Sequence, residues 1–117
     1  MYTVFGIPNC DTVKKAITWL KENKIDYQFH DYKVAGIDAP TLQSWCEQVN
    51  WDVIFNKRST TYKELPIALQ QSITSASKAI HVMQAHTSII KRPIIVKKGK
   101  VVVVGFDAGK YEEIFKK

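Results

Sequence analysis

The sequence predicts a mixed α/β fold in which a βαβ half and a ββα half share one sheet, with a helical insertion between them. Three observations predict it. A strand-like run opens the chain and passes within a few residues into an amphipathic helix. A tight hairpin followed by a short helix closes the chain. Between the two halves, a stretch of about fifty residues carries helical rather than strand periodicity.

Tyr2-Thr3-Val4-Phe5-Gly6 reads as the first strand and Ile7-Pro8-Asn9 as a tight loop. From Asp11 to about Asn23 the spacing predicts a helix. Asn9 is its expected cap, and Val13, Ala16, Ile17 and Leu20 recur on one face. Residues 25–32 predict a second strand, supported by the Tyr27/Phe29 alternation. Residues 35–40 read as a loop, and residues 41–49 as a helix with Leu42, Trp45, Cys46 and Val49 on one side. Residues 50–61 are polar and irregular. Two or three short helices are expected near 62–73 and 75–86, with Ala79, Ile80, Val82 and Met83 as the apolar face of the later one. Strands return over 93–97 and 101–104 around a Lys98-Gly99 turn. A last helix is expected to start at Asp107 or Ala108 and end at Lys117. The order is that of a thioredoxin-like sheet, two parallel strands joined to an antiparallel hairpin. The expectation is one domain over residues 1–117 with the insertion at about 36–90.

Composition narrows the function classes. Seventeen Lys and Arg stand against eleven Asp and Glu, giving a net charge of +6, but they are dispersed from Lys14 to Lys117. That pattern fits a solvated basic surface with an anionic small-molecule site better than a nucleic-acid-binding arm, so no direct nucleic-acid partner is expected. The two cysteines cannot build a disulfide framework and point to a reducing compartment. No leader-like segment or long apolar run is present, so a cytoplasmic protein with no membrane span is expected. His30, His81 and His86 lack metal-ligand spacing, and no metal is expected. No Gly-rich phosphate loop occurs. A phosphatase-type Cys-x5-Arg loop fails because Ala16 stands where its arginine would be.

Cys10 is the candidate for chemistry. A thiol at a helix N-terminus feels the positive end of the helix dipole and nearby backbone N–H groups, both of which favour thiolate. Lys14 and Lys15 add charge one turn in. Cysteine also serves as a small buried filler, and position alone leaves both readings standing. Arg92-Pro93 is the second candidate. In a thioredoxin-like sheet the turn before the third strand faces the first helix N-terminus. A cis proline there would present backbone groups to a peptide-like ligand, and Arg92 would project toward the sulfur. Cys46, beside Trp45 on an apolar helix face, reads as a structural thiol.

Gly6-Ile7-Pro8-Asn9-Cys10-Asp11-Thr12-Val13-Lys14-Lys15-Ala16, Phe55-Asn56-Lys57-Arg58-Ser59-Thr60-Thr61-Tyr62, Ile90-Lys91-Arg92-Pro93-Ile94-Ile95-Val96 and Val104-Gly105-Phe106-Asp107 together resemble the arsenate reductase ArsC and Spx family, most closely its small YffB branch. The resemblance spans essentially the whole chain. It implies a thioredoxin fold with a helical insertion and a glutathione-dependent thiol oxidoreductase whose nucleophile is Cys10. Glutathione would be co-substrate with no bound cofactor, glutaredoxin a further partner, and the protein a monomer. Asn9, Lys14, Asn56, Arg58, Arg92 and Pro93 would bind substrate or glutathione.

Two alternatives come with the resemblance. The first is a glutathione- or glutaredoxin-coupled arsenate reductase. Where the arsenate enzymes carry further arginines, however, this chain has Asn56, with Arg58 two residues on, and Val104-Gly105-Phe106. The second is a non-enzymatic, Spx-like protein that binds the transcription machinery. Val13 replaces the second cysteine of the Cys-x-x-Cys switch of that branch.

Overall fold

In the computed structural model, which describes residues 1–116, four short strands form one sheet. They are β1 (Tyr2–Gly6), β2 (Tyr27–Asp31), β3 (Ile94–Lys97) and β4 (Lys100–Val104), in the order β2-β1-β3-β4. β1 and β2 are parallel, with Tyr2 opposite Tyr27 and Gly6 opposite Asp31. Parallel neighbours need a crossover, which α1 (Asp11–Glu22) supplies. β3 runs antiparallel to both β1 and β4, and the expected mixed, thioredoxin-like sheet is present. The β3–β4 turn is tight because Lys98 and Gly99 both take positive φ, 51° and 80°, as a two-residue hairpin of matching twist requires.

The chain divides into two units. Residues 1–35 with 92–116 carry the sheet, and residues 36–91 form a helical unit. In the sheet unit, side chains alternate between faces. Val4, Ile95 and Val103 therefore share one face and pack with Ala16 and Leu20 of α1 and Tyr111 of α8 (Ala108–Phe115). Burying each of these larger apolar side chains contributes roughly 1.5–3 kcal/mol. Tyr111 also donates its hydroxyl proton to the Gly105 carbonyl. The helical unit contains α3 (Ala39–Gln48), α4 (Trp51–Ile54), α5 (Thr60–Glu64), α6 (Ile67–Ser72) and α7 (Ala76–Ala85). Leu42 and Trp45 of α3, Ile54 of α4 and Ala79 and Met83 of α7 are buried.

Several boundaries differ from the sequence expectation, each for a local reason. Helix α1 begins at Asp11, so the capping position falls on Cys10, while Asn9 lies exposed in the preceding turn. The second strand is shorter than 25–32. Asp31 accepts a hydrogen bond from the Lys33 amide at 2.8 Å, and the chain turns into α2 (Tyr32–Ala35), so Tyr32 leaves the strand. Ala39 and Pro40 are not loop. Asp38 caps α3 by accepting from the Thr41 amide, and a proline is suited to a first helical turn. Of the two or three short helices expected over 62–86, three form, α5, α6 and α7; α5 starts earlier, at Thr60, and Pro66, which lacks an amide proton and disfavours helix at Leu65, parts it from α6. Residues 50–61 hold one extra helical turn, α4, whose first amide is bonded by the Asn50 side chain. The last helix starts at Ala108 with Asp107 as cap; its expected end, Lys117, lies outside the described residues. Among the described residues no helix is long and apolar enough to cross a membrane.

Candidate active site

The sheet unit brings Cys10 and Arg92 to one end of its sheet. β1 and β2 both finish there, at Gly6 and Asp31, and β3 begins opposite Phe5. This end therefore receives the loop carrying Cys10, the residue that follows β2, and the Arg92-Pro93 step that leads into β3. Ligands in sheets with parallel strands collect at the carboxyl ends of those strands.

Cys10 has extended backbone (φ −97°, ψ 124°) and stands as the N-cap of α1. Its carbonyl accepts the first helical hydrogen bond, from the Lys14 amide at 3.0 Å. The thiol makes no conventional capping bond; its electrostatics instead favour the ionised sulfur. Partial burial is the largest single influence and opposes ionisation. The backbone N–H of Val13, a hydrogen bond from the Arg92 side chain, the backbone N–H of Thr12 and the Arg92 charge act together against it. The net effect holds the Cys10 thiol below its ordinary value. Cys46 in the helical unit shows the contrary case, where burial alone pushes its thiol up.

The Arg92–Pro93 bond is cis, as expected. The Pro93 carbonyl is engaged by the Gly105 amide at 2.7 Å. Of the sequence-derived site residues, the structure thus brings Cys10, Arg92 and Pro93 to the same end of the sheet. Asn9 is exposed in the loop before Cys10. Lys14 is exposed on α1 and is absent from the groups that hold the sulfur low. Asn56 and Arg58 belong to the helical unit. There the Asn56 side-chain oxygen accepts from the Arg58 amide at 3.1 Å, and the Asn56 amide donates to the Ile89 carbonyl at 2.7 Å. Asn56 thus shapes its own turn, and the Arg58 side chain is exposed. Among the described residues, no cluster of three or more His, Cys, Asp or Glu is placed to hold a metal ion.

Sequence reasoning expected backbone N–H groups at the sulfur, and the structure assigns them to Thr12 and Val13. It missed a contributor that acts through contact. Gly6 fixes where those amides lie. A Cβ on Gly6 would come within 2.8 Å of Val13 Cγ2, a separation the branched side chain cannot relieve by rotating away. Gly6→Ala is therefore expected to shift Val13 and to loosen the amide cradle around the sulfur. In a pH series of alkylation rates, the Cys10 midpoint should rise toward that of an ordinary thiol. An unchanged midpoint would show that Gly6 has no part in the site.

The model of the ArsC family matches residues 5–114. A solved structure of the YFFB (PA3664) protein superposes with a TM-score of 0.90 at 41% identity, covering 97% of this chain and 98% of that one. A solution structure of an arsenate reductase (ArsC) related protein from Brucella melitensis gives 0.77 at 43% identity, covering 99% and 95%. The global transcriptional regulator Spx of Streptococcus pneumoniae is 29% identical over 92% of this chain and 80% of its own length.

Proposed function

The chain belongs to the ArsC family, and from that premise we propose that it is a thiol oxidoreductase that uses Cys10 as its one nucleophile and glutathione as its reductant. The observation that carries this reading is the depressed Cys10 thiol, held by the Val13 and Thr12 amides and by Arg92. A nucleophile of this kind needs to be thiolate near neutral pH while remaining reachable, and Cys10 is half-buried rather than sealed.

The reaction runs by thiol–disulfide exchange. The Cys10 thiolate attacks the glutathione sulfur of a mixed disulfide. One S–S bond forms, another breaks, and the substrate thiolate leaves and takes a proton. A second glutathione thiolate attacks the glutathione sulfur now bound to Cys10, forming glutathione disulfide and returning the Cys10 thiolate. The substrate sulfur passes from the disulfide to the thiol level and the incoming glutathione sulfur from the thiol to the disulfide level, while the glutathione sulfur of the mixed disulfide keeps its oxidation state. Arg92 stabilises the sulfur anion in both steps, and glutaredoxin is an alternative donor for the second. Turnover of a glutathionylated peptide, followed by release of its free thiol in the presence of glutathione, tests the reading. No release above the uncatalysed rate would refute it.

Arsenate reduction is the second reading, supported by the likeness to the arsenate reductase related protein of Brucella melitensis. An arsenate oxyanion relies on concentrated positive charge, and this chain has Asn56 and Val104-Gly105-Phe106 at the positions discussed above. Arsenate turnover with glutathione and glutaredoxin is expected to be weak or absent beside the disulfide activity. Equal rates on the two substrates would reverse the order of the two readings.

A further inference from the structure

Tyr32 is a buried group at this end of the sheet unit that the chemistry above leaves unused. Its side chain is 1% exposed, and its hydroxyl has no hydrogen-bond partner among the described residues. Buried hydroxyls are nearly always bonded, because a lost bond to water is otherwise uncompensated. An unbonded buried hydroxyl calls for an explanation, and a ligand atom supplies one.

Three features place it. Tyr32 follows directly on Asp31, the residue paired with Gly6 at the end of β1, so it lies at the strand ends where Cys10 and Arg92 also lie. Its ring packs against Phe5 of β1 and His30 of β2, with centroids 6.1 Å away in each case, and Phe5 and His30 pack on each other at 4.6 Å. This aromatic group fixes the ring. The charge of Arg92, which also acts on Cys10, reaches the phenol as well. Burial pushes the phenol well above its ordinary range despite that charge, so it stays protonated and donates a hydrogen bond without giving up its proton.

We propose that the Tyr32 hydroxyl donates a hydrogen bond to a carboxylate oxygen of the thiol substrate, the same carboxylate being held by Arg92 while Cys10 attacks the adjoining sulfur. The inference rests on the reading of Cys10 as the nucleophile of a glutathione-type substrate. Away from bulk water the bond is formed in a low-dielectric setting where it counts more than at the surface. A substrate with no carboxylate gains nothing from Tyr32, so the residue determines specificity rather than moving protons.

The test is Tyr32→Phe, which keeps the ring and removes one oxygen. The variant is compared with the unaltered protein on a glutathionylated peptide and on the same peptide carrying 2-mercaptoethanol in mixed disulfide, which has no carboxylate. The variant should lose about tenfold in kcat/KM on the glutathione substrate, the worth of one charge-assisted hydrogen bond, with no change on the other. Its thermal midpoint should hold or rise, since an uncompensated buried hydroxyl has been removed. Binding of S-methylglutathione, followed by titration calorimetry, should weaken by a similar factor. Equal losses on both disulfides, a lowered thermal midpoint, or unchanged S-methylglutathione affinity would each overturn the proposal, as would failure of the unaltered protein to bind S-methylglutathione. If the unaltered protein binds that ligand in a Tyr32-dependent way but turns over neither disulfide, the nucleophile reading fails while the role of Tyr32 stands.

Discussion

Cys10→Ser is expected to abolish release of the thiol from a glutathionylated peptide, a loss of at least about a thousandfold, while Cys46→Ser leaves the rate unchanged. The difference follows from environment. Cys10 stands at the N-terminus of α1 with two amides and a guanidinium favouring its anion, whereas burial alone acts on Cys46, and in the opposite direction. Serine keeps the size of the side chain and its place at the cap, so folding is preserved and the loss reports on the sulfur. Mass spectrometry after brief alkylation at neutral pH gives an independent check, with Cys10 labelled first. Substantial residual turnover in Cys10→Ser, or Cys46 labelled ahead of Cys10, would remove the basis of the assignment.

Arg92→Ala is expected to act twice. It removes a hydrogen bond to the sulfur and a nearby positive charge, so the Cys10 thiol should rise and the thiolate fraction at neutral pH should fall. It also removes the proposed anchor of an anionic substrate, a charge-assisted bond worth about 1.5–3 kcal/mol. In kcat/KM for a glutathionylated peptide the anchor alone corresponds to a loss of about 10- to 150-fold. Measurement at a pH well above the Cys10 midpoint separates the two effects, because the thiolate is then fully formed in both proteins and only the anchoring loss remains. Arg92→Lys should restore part of the charge effect but not the fork geometry. An alanine variant with unchanged alkylation midpoint and unchanged kcat/KM would mean that Arg92 serves neither purpose.

The sheet was legible in the sequence because its signals are local and periodic. Val13, Ala16 and Leu20 follow helical spacing and are buried on α1, and Lys98-Gly99 between apolar runs is a turn with a mechanism. Cys10 and Arg92-Pro93 were legible for a different reason, since strand–loop–helix order fixes what stands at a strand end. Boundaries set by short-range competition were harder to read. Tyr32 has the aromatic character of a strand residue, yet Asp31 turns the chain at that point. Asp38 and Pro40 make a helix start that composition alone assigns to a loop. Asn56 carries a side chain suited to binding, but its oxygen serves the Arg58 amide, an interaction with no signature beyond spacing. The amides at the sulfur were legible from the helix start, and the structure assigns them to Thr12 and Val13. Gly6, which positions them, becomes meaningful only once its distance to Val13 is known.

The central claim is that this protein holds Cys10 as a ready thiolate, and the most direct measurement is the pH dependence of Cys10 alkylation in the Cys46→Ser protein, read together with thiolate absorbance. Deprotonation creates the nucleophile, so the rate should climb with rising pH and level off above the midpoint. Because the amides and Arg92 favour the anion, that midpoint should lie below the ordinary thiol value of about 8.5. It should move upward in Arg92→Ala and in Gly6→Ala. A midpoint at or above the ordinary value, insensitive to both substitutions, would contradict the account.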